Sequence, residues 1–186
     1  MKNNLSILKD AIILFIITIV LGILLSFTKL ITDEPINRAK INALNESYRK
    51  VLNEYSTSDD ITRRVIDNNN NKAELINCLK VYNNNNENIG YIVLSRINGY
   101  GGKIDVLVGF DLSLNITGIE FPSSLSETPG IGMKITSDEF KNTFINKNIS
   151  DIKSIDTITG ATISSTAVKD AVSFSLDIVQ NAAQIE

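Results

Sequence analysis

Charge and polarity are distributed very unevenly along this 186-residue chain. From Ala11 it reads Ala-Ile-Ile-Leu-Phe-Ile-Ile-Thr-Ile-Val-Leu-Gly-Ile-Leu-Leu-Ser-Phe, uncharged throughout and apolar except at Thr18, Gly22 and Ser26. A bilayer core takes about 17–25 such residues in helical form, and the run extends to Ile31 if Lys29 snorkels to the headgroups. The pattern predicts one transmembrane helix. Because Leu25-Ser26-Phe27-Thr28-Lys29 is a poor small-x-small cleavage site, the segment reads as a retained anchor and not as a cleaved signal peptide. Lys2 and Lys9 on one side balance Lys29, Arg38 and Lys40 on the other, so local charge does not orient it.

Beyond the anchor the periodicity changes twice. Thr32-Asp33-Glu34-Pro35 reads as a helix start, and Ala39, Leu44, Tyr48, Val51, Leu52 and Tyr55 recur at mainly three- and four-residue intervals among charged residues, predicting an amphipathic linker helix. Two asparagine tracts, Asn68–Asn71 and Asn83–Asn86, read as exposed loops around a strand at Leu75–Tyr82. Ile89–Ile97, Lys103–Gly109 and Asn115–Phe121 read as further strands of an antiparallel meander, joined at Asn98-Gly99-Tyr100-Gly101-Gly102 and Asp111-Leu112-Ser113. Thr136-x-x-Glu139 has the form of a capping box ahead of a short helix with Phe140 and Phe144 on its apolar face. A last helix, from about Ser164 to Ala183, repeats Val168, Ala171, Val172, Phe174, Ile178 and Val179 at helical spacing. The predicted class is α+β: residues 1–31 a head and transmembrane anchor, 32–58 a linker helix, and 59–186 a domain whose twisted antiparallel sheet is packed by helices.

Composition narrows the chemistry. A formal charge of -3 and a pI near 5.1 give no reason to expect nucleic acid as a partner. The absence of histidine excludes a Ser-His-Asp triad, a Cys-His dyad and a His-ligated metal or haem. One cysteine, Cys78, excludes an internal disulfide, a Cys-x-x-Cys pair and a four-cysteine iron–sulfur site. Set among Leu75, Ile76 and Leu79, it reads as a buried small hydrophobe. Redox chemistry here needs a borrowed organic cofactor and no metal.

Two stretches offer bare backbone. In Asp156-Thr157-Ile158-Thr159-Gly160-Ala161-Thr162, the two smallest residues precede a hydroxyl at the start of the last helix, where unpaired N–H groups and the positive end of the helix dipole suit a phosphate. By residue chemistry alone, Thr159, Thr162 and Ser164 read equally well as competitors for an ordinary N-cap. In Glu127-Thr128-Pro129-Gly130-Ile131-Gly132, Pro129 and the two glycines predict a rigid turn with exposed backbone.

Asp-x-x-Thr-Gly-Ala-Thr resembles the flavinylation motif of the FMN-binding domain family. Gly99–Gly102, Val108-Gly109-Phe110-Asp111, Glu127–Gly132 and Thr159–Thr162 follow in that family's order and approximate spacing. With the N-terminal anchor, the chain is similar to the G subunits of Rnf-type ion-translocating ferredoxin:NAD oxidoreductases. The resemblance implies FMN joined through its phosphate to Thr162, with Asp156, Thr159, Gly160, Ala161, Glu127, Thr128, Pro129, Gly130, Ile131 and Gly132 around it. It also implies an electron-carrier subunit of a translocase and not a stand-alone catalyst, with other membrane subunits and a flavin transferase as partners. The implied topology is a cytoplasmic N-terminus and an extracytoplasmic domain on the cell membrane. Family members often carry a histidine ahead of the Glu-Thr-Pro-Gly turn, where this chain has Ser124-Leu125-Ser126, so no proton-handling role transfers to that position. The C subunit of a sodium-pumping NADH:quinone reductase shares the motif, and a membrane-anchored extracellular binding module without cofactor is the alternative outside redox chemistry.

Overall fold

A computed structural model describes residues 2–65 and 73–184, so the Asn68–Asn71 tract lies outside the described residues. The chain divides into two compact units, Met1–Asn42 and Ala43–Glu186. The described residues of the first all belong to one helix, α1, Lys2–Val51. Large apolar side chains from Ile12 to Ile31 face outward on every side, and the helix is long and apolar enough to cross a membrane. Its threonine hydroxyls turn inward: Thr18, Thr28 and Thr32 donate to the carbonyls of Phe15, Leu24 and Thr28 at 2.7–2.8 Å. These hydroxyls are thereby satisfied within the helix, as a hydrocarbon environment demands.

The helix start expected at Thr32–Pro35 is not an interruption, since α1 runs through Pro35 without a break. Proline removes one backbone donor, but the turns on either side keep theirs, and Glu34 accepts from Arg38 one turn later at 2.5 Å. The local stop signal is outweighed by helix on both flanks.

In the second unit, five strands form an antiparallel meander in chain order: β1 Thr57–Asp60, β2 Glu74–Tyr82, β3 Asn88–Asn98, β4 Lys103–Phe110 and β5 Ile116–Glu120. A 3-10 turn at Gly132–Thr136 follows, then α2 Asp138–Asn142, α3 Ile149–Ser154 and α4 Thr162–Gln184. The sheet is covered on both faces. Tyr91, Val93 and Ile97 of β3 share a core with Val168, Val172 and Val179 of α4, while Ile92 and Leu94 share another with Tyr48, Val51 and Leu52 at the end of α1. Period-two alternation thus feeds two cores at once, which is why β3 and β4 read as nearly continuous apolar runs. Cys78 is fully buried, and burial pushes its thiol up to about 12. It is a small core residue.

The end of α1 sits directly on the sheet because two facing glycines make room. Gly109 and Gly118 are register partners on β4 and β5; a Cβ at Gly109 would stand 2.6 Å from the Val51 carbonyl oxygen, and one at Gly118 2.7 Å from the Val51 Cα. The Thr117 hydroxyl donates to that carbonyl at 2.6 Å, satisfying a helix-terminal acceptor.

Two details differ from the sequence pattern. The N-cap of α2 is Ser137, whose hydroxyl accepts from the Phe140 N–H at 3.3 Å, whereas the Thr136 hydroxyl donates back to Met133 O at 2.8 Å. The Thr136-x-x-Glu139 capping box is therefore not formed. The Asn83–Asn86 tract is a turn organised by Asn83, whose Oδ1 accepts the N–H groups of Asn85 and Glu87.

Candidate functional site

The turn before α4 is held by its own backbone and one serine. Ala161 N–H donates to Ile158 O at 2.9 Å, and the Ser165 hydroxyl accepts Ile158 N–H at 3.1 Å while donating to Ala161 O at 2.9 Å. Gly160 lies at φ +83°, a left-handed conformation that favours glycine, although a Cβ there would meet only Ile131 at 3.6 Å. Backbone conformation, not space, selects glycine at this point. Thr162 then opens α4. The first bond of the helix runs from Ser165 N–H to Ala161 O at 2.9 Å, leaving the N–H groups of Thr162, Ile163 and Ser164 without intrahelical acceptors at the positive end of the dipole. Among the described residues the Thr162 hydroxyl, on an exposed side chain, has no hydrogen-bond partner. It does not serve as a cap.

Opposite this helix start stands the Glu127–Gly132 turn, and Glu127 joins the two. The residue is 5% exposed; Oε1 accepts Gly101 N–H at 3.0 Å and Oε2 accepts the Ser164 hydroxyl at 2.6 Å. Between the turns lies a cavity of about 510 Å³ walled by Tyr100, Glu127, Thr128, Ile131, Gly132 and residues 160–164. That volume falls in the range of small-molecule sites, roughly 300–1,000 Å³. A second hollow of about 370 Å³, bordered by Ile97, Asn98, Thr166 and Asp170, adjoins the other flank of Thr162 and Ile163.

Of the residues singled out in the sequence, Glu127, Thr128, Ile131, Gly132, Gly160, Ala161 and Thr162 meet in the cavity wall. Asp156 and Thr159 lie outside it, both exposed on the approach to the helix, and Pro129 and Gly130 form the exposed apex of their turn, also outside it. Sequence reasoning does not single out Tyr100, Ile163 or Ser164 as wall residues. Tyr100 carries one signal, a large aromatic amid three glycines; Ser164 carries none beyond its place in a helix start.

The arrangement fits a flat, phosphorylated cofactor. Free N–H groups at the α4 N-terminus are donors for a phosphate, Thr162 presents an unengaged hydroxyl beside them, and the cavity wall contributes Ile131, Ile163 and Tyr100 for an aromatic ring. Among the described residues no cluster of acidic or cysteine side chains is disposed to hold a metal ion.

Comparison with known proteins agrees with this geometry. Residues 99–177 match the FMN-binding domain family. Over most of its length the chain is similar to the G subunit of the ion-translocating oxidoreductase complex of Methanosarcina acetivorans, 28% identical across 96% of this chain and 97% of that protein. It is also 28% identical to the G subunit of the Na(+)-translocating ferredoxin:NAD(+) oxidoreductase complex of Acetobacterium woodii, across 93% and 91%. A third relative, the G subunit of the proton-translocating ferredoxin:NAD(+) oxidoreductase complex of Clostridium ljungdahlii, is 32% identical over 60% of this chain and 66% of that protein.

Proposed function

We propose, from the match of residues 99–177 to the FMN-binding domain family, that the protein is a membrane-anchored electron-transfer subunit of an ion-translocating ferredoxin:NAD oxidoreductase complex, carrying FMN esterified through its phosphate to Thr162. The names of the relatives, all G subunits of ion-translocating oxidoreductase complexes and two of them of ferredoxin:NAD(+) oxidoreductases, support this assembly over a sodium-pumping NADH:quinone reductase. The observation that carries the attachment is the Thr162 side chain: exposed, unpartnered among the described residues, and placed on the rim of the cavity in which both glycine-containing turns meet the α4 N-terminus.

The roles of the chain's own residues follow. The N–H groups of Thr162, Ile163 and Ser164 would donate to the phosphate, Gly160 lets the backbone turn sharply ahead of it, and Thr128, Ile131 and Gly132 form the facing wall. FMN supplies the redox chemistry when bound. An ester linkage replaces equilibrium binding with a permanently high effective concentration, which suits a carrier working on the extracytoplasmic side of the membrane.

Attachment requires a separate flavin transferase. A threonine hydroxyl is a weak nucleophile without an adjacent base. The chain has no histidine, the motif's carboxylate Asp156 lies exposed outside the cavity wall, and both oxygens of Glu127 are engaged elsewhere. Nor does this subunit move the ion. Ala11–Phe27 contains no ionisable side chain, so translocation belongs to partner subunits.

The test is the full chain produced with and without a flavin transferase and examined under ultraviolet light after denaturing electrophoresis. Fluorescence is expected only with the transferase; it is lost in Thr162→Ala and kept in Thr159→Ala. A Thr162→Ala band as bright as wild type refutes the attachment site.

A further inference from the structure

We propose that Glu127 is the positioning residue of this site and that its carboxylate holds the flavin's redox potential low; the proposal rests on FMN occupying the cavity beside Thr162. The side chain belongs to three segments at once. Through Gly101 N–H at 3.0 Å and the Ser164 hydroxyl at 2.6 Å, the turn before β4, the Glu127–Gly132 turn and the first turn of α4 converge on one carboxyl group. The glycines around it are cut to its shape. A Cβ at Gly99 would lie 2.4 Å from Oε1 and one at Gly132 2.6 Å from Oε2, so neither position accepts a side chain while Glu127 stays in place.

Both oxygens have a donor within hydrogen-bond distance, an arrangement suited to an ionised carboxylate. Its two donors are an amide and a hydroxyl, both neutral, and no Lys or Arg is among the described residues walling the cavity. A negative charge that is buried, hydrogen-bonded and without a cation in that wall is poorly screened and acts over several ångströms. Among the described residues, Glu127 is the sole carboxylate in the wall. Reduction delivers electrons to whatever ring occupies the cavity, and a fixed negative charge in the wall opposes that delivery, so the flavin stays a stronger reductant. The Ser164 bond adds a mechanical link: Ser164 lies two residues beyond the proposed tether, so the charge and the attachment point are held in one fixed relation.

The experiment is a spectroelectrochemical titration of the full flavinylated chain in detergent, comparing wild type with Glu127→Gln and Ser164→Ala. Glu127→Gln keeps the side chain's size and an acceptor for Gly101 N–H while deleting the charge, and its midpoint potential is expected to rise. Ser164→Ala leaves the charge but removes a donor that disperses it, so its midpoint is expected to fall. Opposite signs separate an electrostatic role from simple loosening, which would move both variants the same way. An unmoved or lowered midpoint in Glu127→Gln, or shifts of one sign in both, overturns the proposal. Should Glu127→Gln fail to accumulate, Ser164→Ala decides alone: a lowered midpoint supports the proposal and an unchanged or raised one overturns it. Wild-type protein bearing no FMN would sink the assigned function as well, whereas flavinylated wild type with unmoved variants sinks this inference only.

Discussion

Alanine at Gly132 and alanine at Gly130 should have different costs although the two glycines share one turn. At Gly132 the added carbon would stand 2.6 Å from Glu127 Oε2 and 3.0 Å from Glu127 Cβ, against an ordinary contact of about 3.5 Å or more. The carboxylate must retreat by roughly the difference, an ångström, which is enough to break its 2.6 Å bond to Ser164 and strain its 3.0 Å bond to Gly101. Hydrogen bonds to a charged group contribute about 1.5–3 kcal/mol each, so losing one and weakening the other costs about 2–4 kcal/mol. Alanine restricts the unfolded chain and returns about 0.4–1 kcal/mol. The net loss is about 1.5–3 kcal/mol. At Gly130 nothing lies within 4 Å of the added carbon, but φ is +74°. There only the left-handed penalty applies, about 1–2 kcal/mol less the same unfolded-state gain. Thermal unfolding of the full chain in detergent, followed by far-ultraviolet circular dichroism, should place Gly132→Ala below Gly130→Ala by about 1–2 kcal/mol, roughly 2–8 °C. If Gly130→Ala melts at or below Gly132→Ala, Glu127 is not the fixed object that the turn is built around.

Two further outcomes follow from other parts of the fold. Gly109→Ala would put a carbon 2.6 Å from the Val51 carbonyl oxygen and 2.8 Å from Thr117 Oγ1, and because that obstacle is backbone, overpacking should cost about 1–3 kcal/mol in the same melting assay; a melting point equal to wild type refutes the seating of Val51 on the sheet. The second outcome concerns acid. Burial alone would raise the Asp105 carboxyl, but Arg96, at 2.6 and 3.0 Å, and the Ser123 hydroxyl, at 2.7 Å, outweigh it and hold the group below its ordinary 3.8. A depressed folded-state value contributes stability that is present above the unfolded value and lost as pH falls through the folded one. Urea midpoints of wild type should therefore drop as pH is lowered below about 4, and Arg96→Met should flatten or invert that limb; parallel acid limbs in the two proteins count against the assignment.

Legibility in the sequence follows the hydrophobic pattern and fails where that pattern is absent. The anchor is plain because an uncharged apolar run of that length is hard to place anywhere but in a bilayer, and β2 to β5 are found within a residue or two because their apolar residues are bounded by Gly, Asn and Asp. The edge strand β1, Thr-Ser-Asp-Asp, is nearly all exposed and carries no alternation to read. The six-residue α3 is too short to show a helical period. At α2, two adjacent hydroxyls, Thr136 and Ser137, compete for one cap, and only the backbone geometry decides between them. At Pro35 a reliable local signal loses to the helix on either side of it.

The site shows why a motif and a binding surface are different things. Thr159 and Thr162 are three positions apart in one motif, yet only Thr162 reaches the cavity wall, because the left-handed residue Gly160 turns the chain between them. In the sequence the glycines look like bare backbone left for a cofactor. For Gly130 and Gly160, with positive φ, the reason is conformation instead. At Gly99 a side chain would collide with Ile104 Cδ1, at 2.5 Å, as well as with Glu127, and at Gly132 it would collide with the buried carboxylate of Glu127. Its partner Ser164 is 37 residues away, so no short-range pattern could have paired them. The spacing of glycines across three turns is therefore the imprint of an internal acid at least as much as of an external ligand. An apolar residue at 127 would remove the bonds that join Gly101 and the first turn of α4 to this acid, and with them the constraint that keeps position 132 a glycine.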